Sequence, residues 1–241
     1  MSWIKLTSLG FEVPPSFPTE DYDKVRSFLE KYKDTHPAQC KSFGLGWHGL
    51  AYRYRTLVEY DKQFTNSVKV SNSPPPEERY NQGKALFGFF VNALSVIECF
   101  FYSTYCIASI LKPDVFPISK SKDLKFYPKD VASKYGTCFS GDCLSIKMNQ
   151  CLHESKYKEM KDMRDVLTHR GMPPRAFYVG GDRDGMATMP VNIKDPSDQW
   201  HFDLPVDAQT TAVHRQWLCG KLNSLMAAAV DFCNQRLNCV L

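Results

Sequence analysis

The sequence predicts an all-helical bundle of one domain, and three observations carry that expectation. Apolar residues recur every three to four positions along several stretches, which is the period of a helix with one buried face. The run from Ala85 to Leu111 is apolar almost throughout, and Glu98 is its only carboxylate. Turn-rich, short-extended character is confined to a segment at about 176–206, read as a short irregular or β-hairpin excursion.

The elements follow in order. A Pro-rich lead-in, "MSWIKLTSLGFEVPPSF", has no continuous apolar core of the kind that leader peptides carry, so export is not expected. Thr19, followed by Glu20 and Asp21, then opens a helix, because acidic groups near a helix start oppose its dipole. Tyr22, Val25, Phe28, Leu29 and Tyr32 share one face of it. The stretch "HGLAYRYRTLVEYDKQF" repeats the pattern through Leu50, Ala51, Tyr54, Leu57 and Val58. Within it, Tyr54 is assigned to the core and Arg53 and Arg55 to solvent.

Prolines 74–76 introduce the apolar run and Pro113 ends it. The run is long enough to cross a bilayer. Asn92, Ser95, Ser103, Thr104, Ser109 and a mid-span Glu98 would be costly in lipid, and the amphipathic helices need an apolar partner. The sequence therefore reads as a soluble bundle with this helix at its centre and no membrane association. Residues 112–155 read as a long connection holding one or two short helices. A motif helix runs from about Ser155 to Arg170 and stops at Gly171, Pro173 and Pro174. The last helix starts at Asp207 and carries Val213, Trp217, Leu222, Leu225, Met226, Ala229, Val230 and Phe232 inward. The whole of 1–241 is read as one domain, with 1–44 an N-terminal extension and helix and 45–238 the bundle.

Composition narrows the function. A hydrophobic share of 43% and a charged share of 23% are those of a globular protein, and a formal charge of +4 tolerates an anionic partner without demanding one. Nine cysteines, an odd number, read as reduced thiols in a cytoplasmic protein. Cys138, Cys143, Cys151 and His153 lie within sixteen residues, but C-x4-C-x7-C-x-H lacks the tight C-x2-C pair of structural zinc sites. No metal or cofactor is expected. His48, His153, His201 and His214 show no partner pattern and are assigned to structure or surface.

Chemistry concentrates in "EMKDMRDVLTHRGMPPR", residues 159–175. On a wheel of about 100° per residue, Met160, Met163, Val166 and Leu167 form an apolar stripe. Asp162, Asp165 and His169 line the opposite side, and Arg164 stands about 140° from His169. Arginine offers a planar donor fork for a phosphate. Histidine titrates near neutrality and can take a proton from a ribose 2′-hydroxyl or give one to a leaving oxygen. RNA carries its own nucleophile, so this pair needs no metal. Asp165, four residues before His169, can orient it. Arg170 and Arg175 extend the positive edge and are candidate RNA-binding residues. A solvated face with local ion pairs is the competing reading of so short a pattern.

Arg164-Asp165-x3-His169, on the penultimate long helix of an all-helical chain, resembles the R-x4-6-H motif of the HEPN superfamily. The resemblance covers the motif and the helix order, about residues 45–238. It implies an up-and-down bundle of four to five long helices and a metal-independent endoribonuclease of the toxin or defence-effector kind, acting on RNA. It also implies a homodimer with two motifs lining one cleft, and an antitoxin or other protein partner. By position in the bundle it makes Glu98 the acidic residue contributed from an earlier helix. The alternative it leaves open is a non-catalytic module that binds RNA, a nucleotide or a protein.

Overall fold

Helix starts in this chain are marked by proline and acid. The computed structural model describes residues 4–6, 10–68, 75–118, 126–169, 175–177, 186–188, 206 and 209–237. A small antiparallel hairpin, β1 (Ile4–Leu6) and β2 (Phe11–Val13), precedes the helices and pairs Ile4 with Val13. Gly10, just before β2, has φ 72°, a left-handed conformation that glycine reaches without steric cost. Helix α1 (Thr19–Glu30) carries Glu20 and Asp21 in its first turn. Then come α2 (Pro37–Val68), α3 (Pro76–Leu111), α4 (Pro128–Cys138), α5 (Cys143–His153) and α6 (Ser155–His169). Strands β3 (Arg175–Phe177) and β4 (Met186–Thr188) form a second antiparallel pair, and α7 (Thr210–Arg236) is the last helix. The chain is all-α with two minor hairpins, and the second hairpin begins at the predicted excursion.

Two boundaries differ from expectation. Helix α2 starts eleven residues before the 48–64 stretch that the apolar period marks, at Pro37 rather than His48. Its first turns hold Gly44, Gly46 and Gly49, which depress helix propensity, and packing overrides that weakness. The β1–β2 hairpin was read as lead-in; strands of three residues are too short to show a period of two.

The chain divides into two units, each assembled from separated segments. The first comprises Met1–Arg55, Ser95–Tyr157 and Cys219–Leu241. One of its aromatic clusters centres on Trp47, which stacks with Tyr22 (centroids 5.2 Å apart) and with Phe43 (5.0 Å), with Phe100 beside it. Trp47 Nε1 donates to the Tyr22 carbonyl (3.1 Å) and the Tyr22 hydroxyl donates to the Trp47 carbonyl (3.2 Å), so α1 is locked in register on α2. A second cluster gathers Tyr105, Phe116, Tyr135, Phe139 and Phe232. Tyr135 is fully buried, its hydroxyl donates to the Thr104 carbonyl at 2.6 Å, and burial holds its proton far above the usual phenol range. The Asp142 carboxylate grips the Arg236 guanidinium at 3.0 and 3.3 Å, tying the α4–α5 turn to the end of α7. The Tyr32 hydroxyl donates to the Leu237 carbonyl.

The second unit comprises Thr56–Leu94 and Lys158–Leu218. Its core is built from Leu57 and Phe64 of α2, Leu86, Phe89 and Phe90 of α3, Met160 and Met163 of α6 and Leu218 of α7, all buried. Each such side chain contributes about 1.5–3 kcal/mol of transfer free energy when removed from water.

Helix α3 is long and apolar enough to span a membrane, and two thirds of its most apolar window is buried inside the protein, which fits the core helix of a soluble protein. Four of its buried polar side chains bond to its own backbone. Asn92 donates to Gly88 O (2.7 Å), Ser103 to Cys99 O (2.8 Å), Thr104 to Phe101 O (2.9 Å) and Ser109 to Cys106 O (2.7 Å). Close approach of neighbours to α3 depends on glycine. In the first unit, a Cβ on Gly46 would fall 2.6 Å from Ser103 Oγ and 2.7 Å from a ring carbon of Tyr102. In the second, a Cβ on Gly88 would fall 2.5 Å from the Tyr60 ring.

Two glycine substitutions are therefore expected to move stability in opposite directions. Gly46→Ala should destabilise by about 1–3 kcal/mol through overpacking. Gly44→Ala, where a Cβ meets nothing within 4 Å, should stabilise by up to about 1 kcal/mol through helix propensity. Urea titrations of the two variants beside the parent check both signs.

Candidate functional site

Helix α6 presents the motif as the wheel requires. Met160, Met163, Val166 and Leu167 are buried, while Lys161, Asp162, Thr168 and His169 are exposed. Arg164 and Asp165 are half-buried on the border between the two faces. Arg164 Nε approaches Asp165 Oδ1 at 2.9 Å, near enough for an ion pair but without the alignment of a hydrogen bond. Lys161 Nζ takes the other carboxylate oxygen, Oδ2, at 2.7 Å. The Asp165 carboxylate is thus shared between two cations of its own helix, and among the described residues no contact joins it to His169. Thr168 Oγ1 donates to the Arg164 carbonyl at 2.7 Å, satisfying one of the last acceptors of the helix. His169 is the final residue of α6, an exposed imidazole at the helix terminus.

Of the other sequence-derived candidates, Glu98 is a half-buried residue of α3 in the first unit, whereas Arg164, Asp165 and His169 belong to the second. Arg170 lies outside the described residues. Arg175 opens β3 opposite Thr188. The Tyr-Arg-Tyr-Arg run divides as expected for Tyr54, which is buried with its hydroxyl on Ser16 Oγ at 3.0 Å. Arg55 Nη1 donates to the Glu12 carbonyl, and Arg53 leans over the Tyr52 ring.

Cys138, Cys143, Cys151 and His153 are all described, and among the described residues no group of three potential ligands converges. Cys151 is buried, and burial lifts its thiol to about 12. Burial does the same to Cys233, also to about 12, and raises Cys99 to about 11. A nucleophile or metal ligand must be a thiolate, and these groups resist becoming one. His153 is exposed, its Nδ1 on the Asn149 carbonyl at 2.7 Å.

The histidine that is embedded in structure is His214. It is buried on α7, with Nδ1 donating to the Thr210 carbonyl at 2.7 Å. Nε2 faces Glu159 Oε2 at 3.2 Å, and the ring meets Phe90 edge-on at 5.3 Å. One residue on, Arg215 Nε binds Asp61 Oδ2 at 2.6 Å, and Asp61 is itself buried on α2. These two pairs tie α6 and α2 to the start of α7 within the second unit.

The sequence places Val213 in the core and leaves His214 as structural or surface; Val213 is instead 45% exposed, and His214, at 4% exposed, takes the structural role. The signal was present. Counting back from Leu225, Leu222 and Leu218 by three or four residues reaches His214 and Thr211, not Val213. Likewise Asp61 falls in the inward series Leu50, Tyr54, Leu57, Asp61, Phe64, and a carboxylate in such a series calls for a cation.

Comparison with protein-family models, curated proteins and solved structures returns no match. The candidate site therefore rests on its own chemistry.

The two histidines should separate cleanly in thermal melts. His214→Ala removes a buried ring and its contacts with Phe90, Glu159 and the Thr210 carbonyl, and should cost about 2–5 kcal/mol. His169→Ala removes an exposed side chain and should stay within about 0.5 kcal/mol of the parent.

The buried thiols set an alkaline limit. A group whose proton is held more firmly in the folded state stabilises fully below its unfolded pKa, and that contribution is lost as pH rises through the folded one. Stability should accordingly decline from about pH 9, the ordinary thiol value, towards about 12 for Cys151 and Cys233. Melting temperature measured against pH checks this, and replacing both residues with Ala should flatten that limb.

Proposed function

We propose that the chain is a metal-independent, HEPN-like endoribonuclease acting inside the cell, with Arg164 and His169 as its reactive pair. One observation carries the reading: both residues stand on a single helix of an all-α chain, with the apolar stripe turned inward and His169 exposed. In the proposed reaction His169 takes the proton of a ribose 2′-hydroxyl. The 2′-oxygen then attacks the adjacent phosphorus, the bond to the 5′-oxygen breaks, and that oxygen is protonated as it leaves. The products are a 2′,3′-cyclic phosphate and a 5′-hydroxyl. Arg164 holds the non-bridging oxygens as charge gathers on them.

An ideal helix sets Arg164 and His169 about 140° apart, so one copy walls only part of a cleft. A homodimer with the motifs near its two-fold axis supplies the opposite wall, because an isologous interface repeats the same patch. Arg170 and Arg175 are the further phosphate contacts in this reading, and an antitoxin or other protein is the natural regulator of such an activity.

A non-catalytic RNA-binding module is favoured by a different observation. Asp165 already engages both Arg164 and Lys161, so the guanidinium that a reacting phosphate would need is held within its own helix while the cluster keeps one positive charge in excess. Incubation of the purified chain with structured and single-stranded RNA in EDTA separates the two. Cleavage to cyclic-phosphate ends is expected, lowered at least about 100-fold by His169→Ala. Arg164→Ala should lower it by a similar factor. Light scattering of the same samples should report a dimer. RNA retention without cleavage would establish the binding module, and full activity in His169→Ala would remove His169 from the reaction.

A further inference from the structure

Of the three glycines in α2, packing explains two. A Cβ on Gly46 would collide with Ser103 and Tyr102, and one on Gly49 would press on Cys99 Sγ at 3.3 Å. A Cβ on Gly44 meets nothing within 4 Å. A glycine inside a helix lowers its stability, so a position with room for a side chain and none present leaves space open. That space is a cavity of about 430 Å³ between α1 and the first turns of α2, and Gly44 lines it. The volume is that of a small-molecule site.

Its walls are of two kinds. Tyr22, Leu29, Phe43 and Trp47 form an apolar floor. The floor is held rigid: Trp47 stacks with Tyr22 and with Phe43, and the Trp47 and Tyr22 polar groups are turned onto each other's backbone carbonyls. Nothing in those two aromatic groups is left seeking a polar ligand. The rim carries Arg26, Lys33 and Lys41 against the single carboxylate of Glu30, three positive charges to one. Arg26 lies 3.6 Å from Glu30, so Lys33 and Lys41 supply the surplus. Pro37, the first residue of α2, also lines the cavity and brings the positive end of that helix dipole to it.

We propose that this cavity binds a small organic carboxylate with an apolar body, the body on the Trp47 floor and the carboxylate among the rim cations. The proposal stands apart from the ribonuclease reading, since every lining residue belongs to the first unit and the Arg164–His169 helix face to the second.

Isothermal titration with decanoate and with 2-naphthoate tests it, with decanol and 2-naphthol as neutral counterparts. One-to-one saturable binding of at least one acid is expected, weaker at high salt because the lysines are exposed. Gly44→Leu, which fills the cavity, should lower that affinity by about tenfold or more. Lys33→Glu with Lys41→Glu should lower it by roughly threefold or more. The lysine reversals alter exposed side chains only and keep the test decisive should Gly44→Leu fail to fold. The proposal is overturned if neither acid binds saturably, if a folded Gly44→Leu binds like the parent, or if the neutral counterparts bind as tightly as the acids.

Discussion

Helix α3 cannot be left in water, and the rest of the fold answers to that. Its 36 residues include Phe89, Phe90, Phe100, Phe101 and Ile107, all without exposure. Covering so apolar a rod requires neighbours that approach closely, and in each unit a glycine at the contact allows it, Gly46 in one and Gly88 in the other. The amphipathic helices have one apolar face each because one face is what this arrangement buries. The terminal helices, α1 and α7, then add the aromatic and ionic ties that fix their positions.

That dependence explains what was legible in the amino-acid sequence. The apolar run of α3, the inward stripe of α6 and the boundaries at Thr19, Pro76 and Ser155 follow from local period and helix-start chemistry. The start of α2 does not, since its glycine-rich first turns look unlike a helix until the groups that need those glycines are placed beside them. Asn92, Ser103, Thr104 and Ser109 weigh little against lipid. Each bonds to its own helix backbone, a solution as serviceable in hydrocarbon as in a protein core. It is the burial of α3 that carries weight.

The candidate site was legible as a motif but not as an environment. A wheel separates Arg164 from His169 and assigns the inward stripe. It does not foretell that Asp165 would be held by Lys161 and Arg164. Nor did apparent isolation in the sequence identify the structural histidine. His214 has its partners on α6 and within its own first turn, and Glu159 is distant in sequence. Buried polar pairs of this kind are set by tertiary placement, and only the inward series of α7 points to them beforehand.

The tie between Tyr32 and Leu237 has a consequence for the order in which the protein is made. The two groups are 205 residues apart, and α7 supplies parts of both units. At about 5–20 residues per second, the ribosome leaves the Tyr32 hydroxyl without its acceptor for roughly 10–40 s. From the synthesis of Leu111 onward the nascent chain holds α3 without α7 to cover it. Completion of either unit therefore waits for α7, and until then the growing polypeptide carries an incompletely covered apolar helix of the kind that chaperones shield.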